Sequence, residues 1–323
     1  VGYQTLLDNT TGDHNVAIGN RAAESNTTGE QNVAIGISSM LCNTTGSFNV
    51  GIGCNPLGNN TTGGLNAAIG YRTLQANTTG CCNTAFGAEA LRCNTTANNN
   101  TAVGRSALKN NTTGATHTAI GVNALCSNTT GANSTAVGNS ALRDQTTAAN
   151  GNVAVGDLAG LATTTGGHNV AMGNSAFRCN TTGSDNTAIG VYALCANNGG
   201  QNTAVGCFAL RKNTSGTSNT GLGNDSAYST TTGSDNVAVG RCALYANTTG
   251  VDNTAVGANA GDSITTGYSN VLLGHNAGAN VTTGDNNVLL GDSAGTDAVK
   301  NITSGDNEIV IGNNSHTTAT IKI

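Results

Sequence analysis

Short apolar runs recur along the whole chain, and each run ends at a glycine. The glycine falls every 17 residues from Gly2 to Gly138. The same interval returns after one inserted residue before Gly156 and one missing residue before Gly206, and a longer insertion precedes Gly312. Self-similarity at a fixed period is typical of repeat proteins, so the pattern predicts one array of about 18 units.

The repeating unit is N-T-A-V-G-x-x-A-L-x-x-N-T-T-G-x-x, seen clearly in residues 100–116, and we number its positions 0 to 16 from the first Asn. Its apolar stretch is rich in Val, Ile and Thr and is bounded by Gly and Asn, which predicts strands and turns. A unit of 17 residues is too short for a helical-hairpin repeat. The pattern therefore predicts an all-β fold, a parallel β-solenoid or β-roll of about 18 coils that pair in register.

Both faces of the predicted strand carry apolar residues. Position 3 is never polar, as in Val103, so we expect it to fill the coil's own core. Position 2 points to the opposite face and is small and apolar, as in Ala102. A parallel strand that is apolar on both faces is typically covered on both. We therefore expect position 2 to meet another layer, most simply partner chains around a symmetry axis.

The side chains change towards the end of the array. Position 8 is Leu or Phe in many units, whereas position 2 is mostly Ala. In the late units the two sizes are exchanged, as in Gly261, Gly278, Gly295, Leu272 and Leu289. Close-packed interiors conserve volume, so positions 2 and 8 are predicted to share a layer, although a separate repeat subtype is the alternative. The array is divided accordingly into regular repeats over 1–257 and variant repeats of the same solenoid over 258–323.

The composition excludes several classes of protein. Glycine makes up 46 of the 323 residues, charged residues are 9% and aromatic residues 3%, and there is one proline. Disordered chains usually combine high net charge with abundant proline, and the net charge here is −5. Collagen needs glycine at every third residue. No apolar run reaches the length of a membrane span, and 12 Lys and Arg within an acidic total argue against nucleic acid.

The strand-turn blocks NVAIG, NTAVG and NTAIG resemble the head repeats of YadA-like trimeric autotransporter adhesins. The stretch NEIVIGNNSHTTATIKI, from Asn307 to Ile323, is similar to the segment that precedes an endosialidase-type chaperone in tail-fibre-like proteins. The resemblance implies a left-handed β-roll, a homotrimer and an extracellular or cell-surface location. It also implies a structural fibre or an adhesin shaft or head. The period of 17 and the added N-T-T-G loop differ from the shorter repeat of that family.

N-x-S/T triplets, the acceptor pattern for N-glycosylation, recur in one column. Position 11 and its late variants supply the candidates Asn9, Asn26, Asn43, Asn60, Asn77, Asn94, Asn111, Asn128, Asn180, Asn213, Asn247, Asn280 and Asn301. We expect these turns to point outwards, so that glycans would coat one edge of a rod. The alternative is a ladder of turn residues in which Asn amides bond from coil to coil.

The ten cysteines do not follow the repeat. Three pairs are 12 residues apart and are the first candidates for disulfides, namely Cys42 with Cys54, Cys81 with Cys93, and Cys195 with Cys207. Interchain bonds are the second interpretation, and a role as small apolar filler is the third.

Other chemistry has weak support in the sequence. The adjacent Thr residues at positions 12 and 13 suggest ice binding as an alternative function. Two neighbouring side chains in a turn should not share a plane, however, and a flat ice-binding surface needs them to do so. Asp residues after the turn glycine suggest bonds to their own backbone more than calcium sites. No catalytic or nucleotide-binding motif is present, so we expect no enzyme activity, no cofactor and no metal.

The sequence as a whole favours a non-catalytic structural fibre, in which stability accumulates as coils stack. An uncapped end of the array can pair with further strands, so end-to-end growth into a filament is compatible with this interpretation. A carbohydrate- or receptor-binding adhesin head is the first alternative, and it would need a patch that breaks the repeat. Three irregular zones meet that requirement, at 145–151, 196–201 and 295–306. An ice-binding solenoid is the second alternative.

Overall fold

The computed structural model describes residues 1–146, 149–296, 300–313 and 315. Its regular elements are three-residue strands, one per coil, and the described residues contain no helix. The strands are β1 (Val16–Ile18), β2 (Val33–Ile35), β3 (Val50–Ile52), β4 (Ala67–Ile69), β5 (Thr84–Phe86), β6 (Thr101–Val103), β7 (Thr118–Ile120), β8 (Thr135–Val137), β9 (Val153–Val155), β10 (Val170–Met172), β11 (Thr187–Ile189), β12 (Thr203–Val205), β13 (Thr220–Leu222), β14 (Val237–Val239), β15 (Thr254–Val256), β16 (Val271–Leu273), β17 (Val288–Leu290) and β18 (Ile309–Ile311). Most of the stretch that resembles a pre-chaperone segment, 314 and 316–323, lies outside the described residues.

The chain divides into two compact units, Val1–His168 and Asn169–Ile323. In the first unit β1 to β9 pair in parallel and in chain order, with Val16 opposite Val33 at the start. In the second unit β10 to β18 pair in the same way. Partners are mostly 17 residues apart, so the predicted parallel β-solenoid is confirmed. Its handedness and the division at 257 stay predictions.

The two strand faces are assigned the opposite way round from the sequence prediction. The middle residue of almost every strand is buried, whereas its two neighbours are half-buried or exposed. Ala34, at position 2, is 0% exposed, but Ile18, at position 3, is 47% exposed. The prediction that position 3 fills the core was therefore wrong, and so was the expectation that position 2 meets a partner chain. Alternation identifies the residues that share a face, but it does not reveal which face is inside when both are apolar.

Positions 2 and 8 fill the core together, as the exchange of large and small residues predicted. Leu108 and most other position-8 side chains are fully buried. A Cβ built on Gly278 would lie 2.7 Å from Cδ2 of Leu272 and 3.0 Å from Cδ1 of Leu289. Where position 2 grows to Leu, position 8 must therefore shrink to Gly. The shared layer is confirmed by these contacts.

Tight turns explain the invariant glycine at position 4. Gly104 has a φ of +130°, and a Cβ there would lie 2.5 Å from the carbonyl oxygen of Gly121 in the next coil. Only glycine permits both the backbone angle and the close approach. Positions 6, 8 and 16 also adopt left-handed backbone, with Leu108 at a φ of +50°. These non-glycine residues are held in a costly conformation by the stacking of the coils.

Candidate functional site

The Asn residues at position 11 form an internal ladder. The Nδ2 of Asn43 donates to Oδ1 of Asn26 at 2.8 Å and to the carbonyl oxygen of Gly46 at 2.9 Å. Asn43 is fully buried, and the same pair of bonds recurs at Asn60, Asn77, Asn94 and Asn111. Both amide hydrogens are therefore used inside the coil, which confirms the interpretation as a turn ladder.

The expectation that these side chains point outwards was wrong. Each position-11 amide closes its own N-T-T-G turn, so it must lie on the inner side of that turn. Asn26, Asn43, Asn60, Asn77, Asn94, Asn111, Asn128, Asn180, Asn213 and Asn247 are all buried, and Asn9 is half-buried. A glycan on Nδ2 would replace a bonded hydrogen in a space that is already filled.

Asn280 and Asn301 differ from the other candidates because they lie at position 10 and are exposed. Val281 and Ile302 take the buried position 11 beside them. The Nδ2 of Asn280 donates to Oδ1 of Asn301 at 2.9 Å, so this pair forms a short ladder on the outside.

The sequence prediction missed further exposed acceptor triplets, at Asn99 and Asn133 in position 16, at Asn224 in position 5 and at two residues in position 10. Asn59 and Asn110 also lie at position 10, and each begins an N-N-T triplet that overlaps the N-T-T triplet after it. The overlapping triplets are visible in the sequence, but they begin one residue before the consensus Asn of position 11. Fold-compatible sequons therefore include four at position 10.

A second Asn ladder, at position 0, braces each coil from one wall to the other. The Nδ2 of Asn49 donates to the carbonyl oxygen of Gly63 in the N-T-T-G turn at 2.8 Å. The Oδ1 of Asn32 accepts from the backbone N–H of Asn49 at 2.9 Å. Each position-0 side chain thus bonds within its own coil and to the next. The buried polar groups are satisfied by this bracing, as a polar interior requires.

His117 interrupts the position-0 ladder in the first unit. Its ring is buried, its Nε2 lies 2.5 Å from the carbonyl oxygen of Gly131, and its Nδ1 accepts from the N–H of Ser134 at 3.2 Å. Burial lowers the pKa of His117, while hydrogen bonds to Gly131 and Ser134 oppose the shift. The neutral ring is the form that fits, because Nδ1 faces a donor.

The threonine columns have unequal exposure. The Oγ1 of Thr44, at position 12, donates to the carbonyl oxygen of Thr61 in the next coil at 3.0 Å, and Thr61 repeats the bond to Thr78 at 3.1 Å. Thr45, at position 13, is exposed. One column of hydroxyls is therefore engaged in stacking and a single column faces solvent.

All ten cysteines are free thiols in the structure. The backbone N–H of Cys179 donates to the carbonyl oxygen of Cys195 at 2.8 Å, which places the two on neighbouring coils. Burial, and to a smaller extent the neighbouring Cys179 thiol, raises the pKa of Cys195 to about 11. Cys195 therefore has the Cys179 thiol of the neighbouring coil beside it. The pairs 42–54, 81–93 and 195–207 stay predictions.

The outer strand face is a long apolar surface in each unit. None of the strands β1 to β18 in the described part of the chain contains a charged residue, and positions 1 and 3 hold Val, Ile, Thr and similar side chains. The exposed side chains at position 3 include Ile18, Phe86, Ile120, Met172, Ile189, Val205, Val256, Leu273 and Ile311. Extended apolar surfaces of this kind mark interaction sites in soluble proteins.

A cation–aromatic cluster lies in the second unit and breaks the repeat. We define the Arg211 cluster as Tyr192, Phe208, Arg211, Lys212, Tyr228 and Tyr245. The Tyr228 and Tyr245 rings stack at 5.2 Å between centroids, and the Tyr192 and Phe208 rings at 5.8 Å. The cluster adjoins the irregular zone at 196–201, where one coil is a residue shorter.

The described residues include no group of three or more His, Cys, Asp or Glu side chains arranged to hold a metal ion. Within the same part of the chain, no helix is long and apolar enough to cross a membrane. No protein-family model matches the chain, and neither does any curated protein.

Proposed function

We propose that the chain is a non-catalytic structural segment of an extracellular fibre, in which the solenoid serves as shaft or head. The observation that carries the proposal is the in-register stacking of one coil on the next, repeated along both units. Backbone bonds, two Asn ladders and a Thr ladder connect neighbouring coils. Stability in such an array accumulates through nearest-neighbour interfaces, which suits a structural element under mechanical tension.

The same proposal includes self-association, with a trimer favoured by the resemblance to adhesin heads. Its support is the outer strand face, which presents apolar side chains at the spacing of the coils and carries no charge. Ile120 is 40% exposed and Met172 is 42% exposed on this face. A second copy of the chain offers the same repeat spacing and the same apolar face, so copies can cover one another along their length.

Light scattering after size-exclusion chromatography tests the proposal. The intact chain is expected to run at three times its monomer mass. Ile120→Lys places a charge on the outer face and should shift the equilibrium to monomer, because burying an unpaired charge is costly. Thr113→Lys, at the exposed position 13 of the preceding coil, is the matched control and should leave the mass unchanged. A monomer at every concentration would refute self-association.

A carbohydrate-binding head is the second candidate, and the Arg211 cluster is the observation that favours it. The cluster combines stacked rings with cations beside an irregular coil. The fibre proposal does not account for it.

A further inference from the structure

The Arg211 cluster concentrates residue types that are rare in this protein. Aromatic side chains are 3% of the chain, yet four of them lie together on successive coils. Tyr192 and Phe208 occupy position 6, whereas Tyr228 and Tyr245 occupy position 9 on the coils that follow. Arg211 lies at position 9 where the two stacks meet. The stacking of coils does not by itself require aromatic residues at these positions, since Ser and Asn fill position 6 in most other coils.

Arg211 is held in place by three rings. Its guanidinium carbon lies 5.0 Å from the Phe208 centroid, 5.2 Å from Tyr192 and 5.7 Å from Tyr228. Its Nη1 donates to the hydroxyl of Tyr228 at 3.0 Å. Cation–π contacts and this bond fix the planar group, which still has further N–H donors to offer. The side chain is thus oriented before any ligand arrives.

The positive charge of the cluster is not neutralised by an ion pair among the described residues. In the part of the chain that the structure describes, no carboxylate lies within 4 Å of Arg211 or Lys212. Asp225 follows Phe208 in the position-6 column but makes no ion pair with either cation. Arg92 occupies the same position 9 in the first unit and pairs with Glu89 at 3.0 Å. Unlike the charge of Arg92, the charge of Arg211 is therefore available to bind an external anion.

The geometry of the rings selects among anionic ligands. Single-stranded nucleic acids bind aromatic residues by stacking bases on free ring faces. In the cluster each ring already stacks on another ring, with only 9° between the planes of Tyr228 and Tyr245, and both Arg211 and Lys212 lie over the Tyr228 ring. The tyrosine hydroxyls and the other N–H donors of the guanidinium remain for hydrogen bonding. That combination suits a sugar that carries hydroxyls together with a carboxylate or sulfate.

We propose that the Arg211 cluster binds an acidic polysaccharide. The guanidinium of Arg211 and the ammonium of Lys212 bind its carboxylate or sulfate groups, and the hydroxyl of Tyr228 orients Arg211 towards them. The strand face proposed for self-association is formed by positions 1 and 3 of each coil, whereas the cluster is formed by positions 6, 9 and 10. This inference therefore does not rest on the fibre proposal.

Binding is measured by calorimetry with two probes, a size-defined heparin oligosaccharide and an oligogalacturonate, which separate sulfate from carboxylate recognition. Neutral dextran, oligo-dT and poly-glutamate are the comparison ligands. Arg211→Gln is expected to weaken binding about 10- to 100-fold, because a charged hydrogen bond is lost. Tyr228→Phe keeps the ring and should weaken binding less, and added salt should weaken it further.

Arg92→Gln is the matched control, since it removes an ion-paired arginine from the same position of the repeat and should leave binding unchanged. Circular dichroism and the mass in solution establish that each variant keeps its fold and assembly. Absence of binding to both acidic sugars would overturn the proposal. Equal binding of poly-glutamate or oligo-dT would overturn it too, because charge alone would then explain the interaction. If the unmodified protein proves monomeric in solution but still binds the acidic sugars, only the fibre proposal is refuted.

Discussion

The amide of Asn77 donates to Oδ1 of Asn60 at 2.7 Å and accepts in turn from Nδ2 of Asn94 at 2.9 Å. Each Asn of this column therefore connects the coil before it to the coil after it. The same Nδ2 also closes its own turn at Gly80. A residue type that usually lies on the surface is here a repeating part of the core.

Asn77→Ala is expected to destabilise the protein strongly. It leaves the carbonyl of Gly80, Oδ1 of Asn60 and Nδ2 of Asn94 without these bonds, at about 1–3 kcal/mol for each buried group. Thr79→Ala, at the exposed position of the same turn, should change stability by less than about 0.5 kcal/mol. Urea denaturation of both variants measures the difference, and equal stabilities would show that the ladder contributes nothing.

Some features of this fold could be predicted from the sequence and others could not. The interval between glycines predicted the coils, the strands and the tight turn at Gly104, because backbone geometry imposes the same residue at the same place. Alternation could not reveal whether Ala102 or Val103 faces inwards, since both are apolar. The inward direction of Asn43 was equally hidden, because it depends on bonds to a neighbouring coil. The Arg211 cluster was not predicted, since contacts between coils define it and the irregular zone named from the sequence, 196–201, contains none of its residues.

The distribution of glycans should follow burial. In a secretory host that performs N-glycosylation, we expect modification at position 10, at Asn59, Asn110, Asn280 and Asn301, and none at the buried position-11 residues of the folded product. Peptide mapping by mass spectrometry after enzymatic deglycosylation identifies the occupied residues. A glycan on Asn43 in folded, soluble protein would contradict the ladder.

Acid should weaken the protein through His117. Its folded-state pKa is lowered, so below the ordinary value of 6.5 the unfolded chain binds more protons than the folded one. Stability attributable to His117 is therefore present above that pH and is lost as the pH falls through 6.5 towards the lowered pKa. His117→Asn restores the ladder residue and should flatten this dependence. Denaturation midpoints across that pH range measure it, and identical slopes for the two proteins would count against the assignment.

The exchange of core volume predicts a rescue. Gly278→Leu should destabilise the second unit by about 1–3 kcal/mol, because its side chain enters the space of Leu272. Leu272→Ala alone should cost about 2–5 kcal/mol through the cavity that it leaves. The double variant restores the size pattern of the regular repeats and should lose less than the two single losses combined. A strictly additive double-mutant cycle would contradict the shared layer.

Oxidation should join neighbouring coils at Cys179 and Cys195. Exchange with oxidised glutathione converts the two thiols to one disulfide and releases two molecules of reduced glutathione. The expected product has lost two hydrogen atoms and yields a linked peptide pair on digestion without reductant. Cys179→Ser should abolish that pair. A linkage of Cys195 to Cys207 instead would favour the spacing prediction over the contact between coils.

The central claim is that a single-chain core is closed by position 2 and that copies associate through positions 1 and 3. Electron cryo-microscopy of the assembled protein tests both parts together. The account predicts three copies with Ile120 and Met172 between them, and with the Ala residues of position 2 enclosed in each coil. A lone solenoid with solvent along the whole outer strand face, or copies joined through position 2, would contradict it.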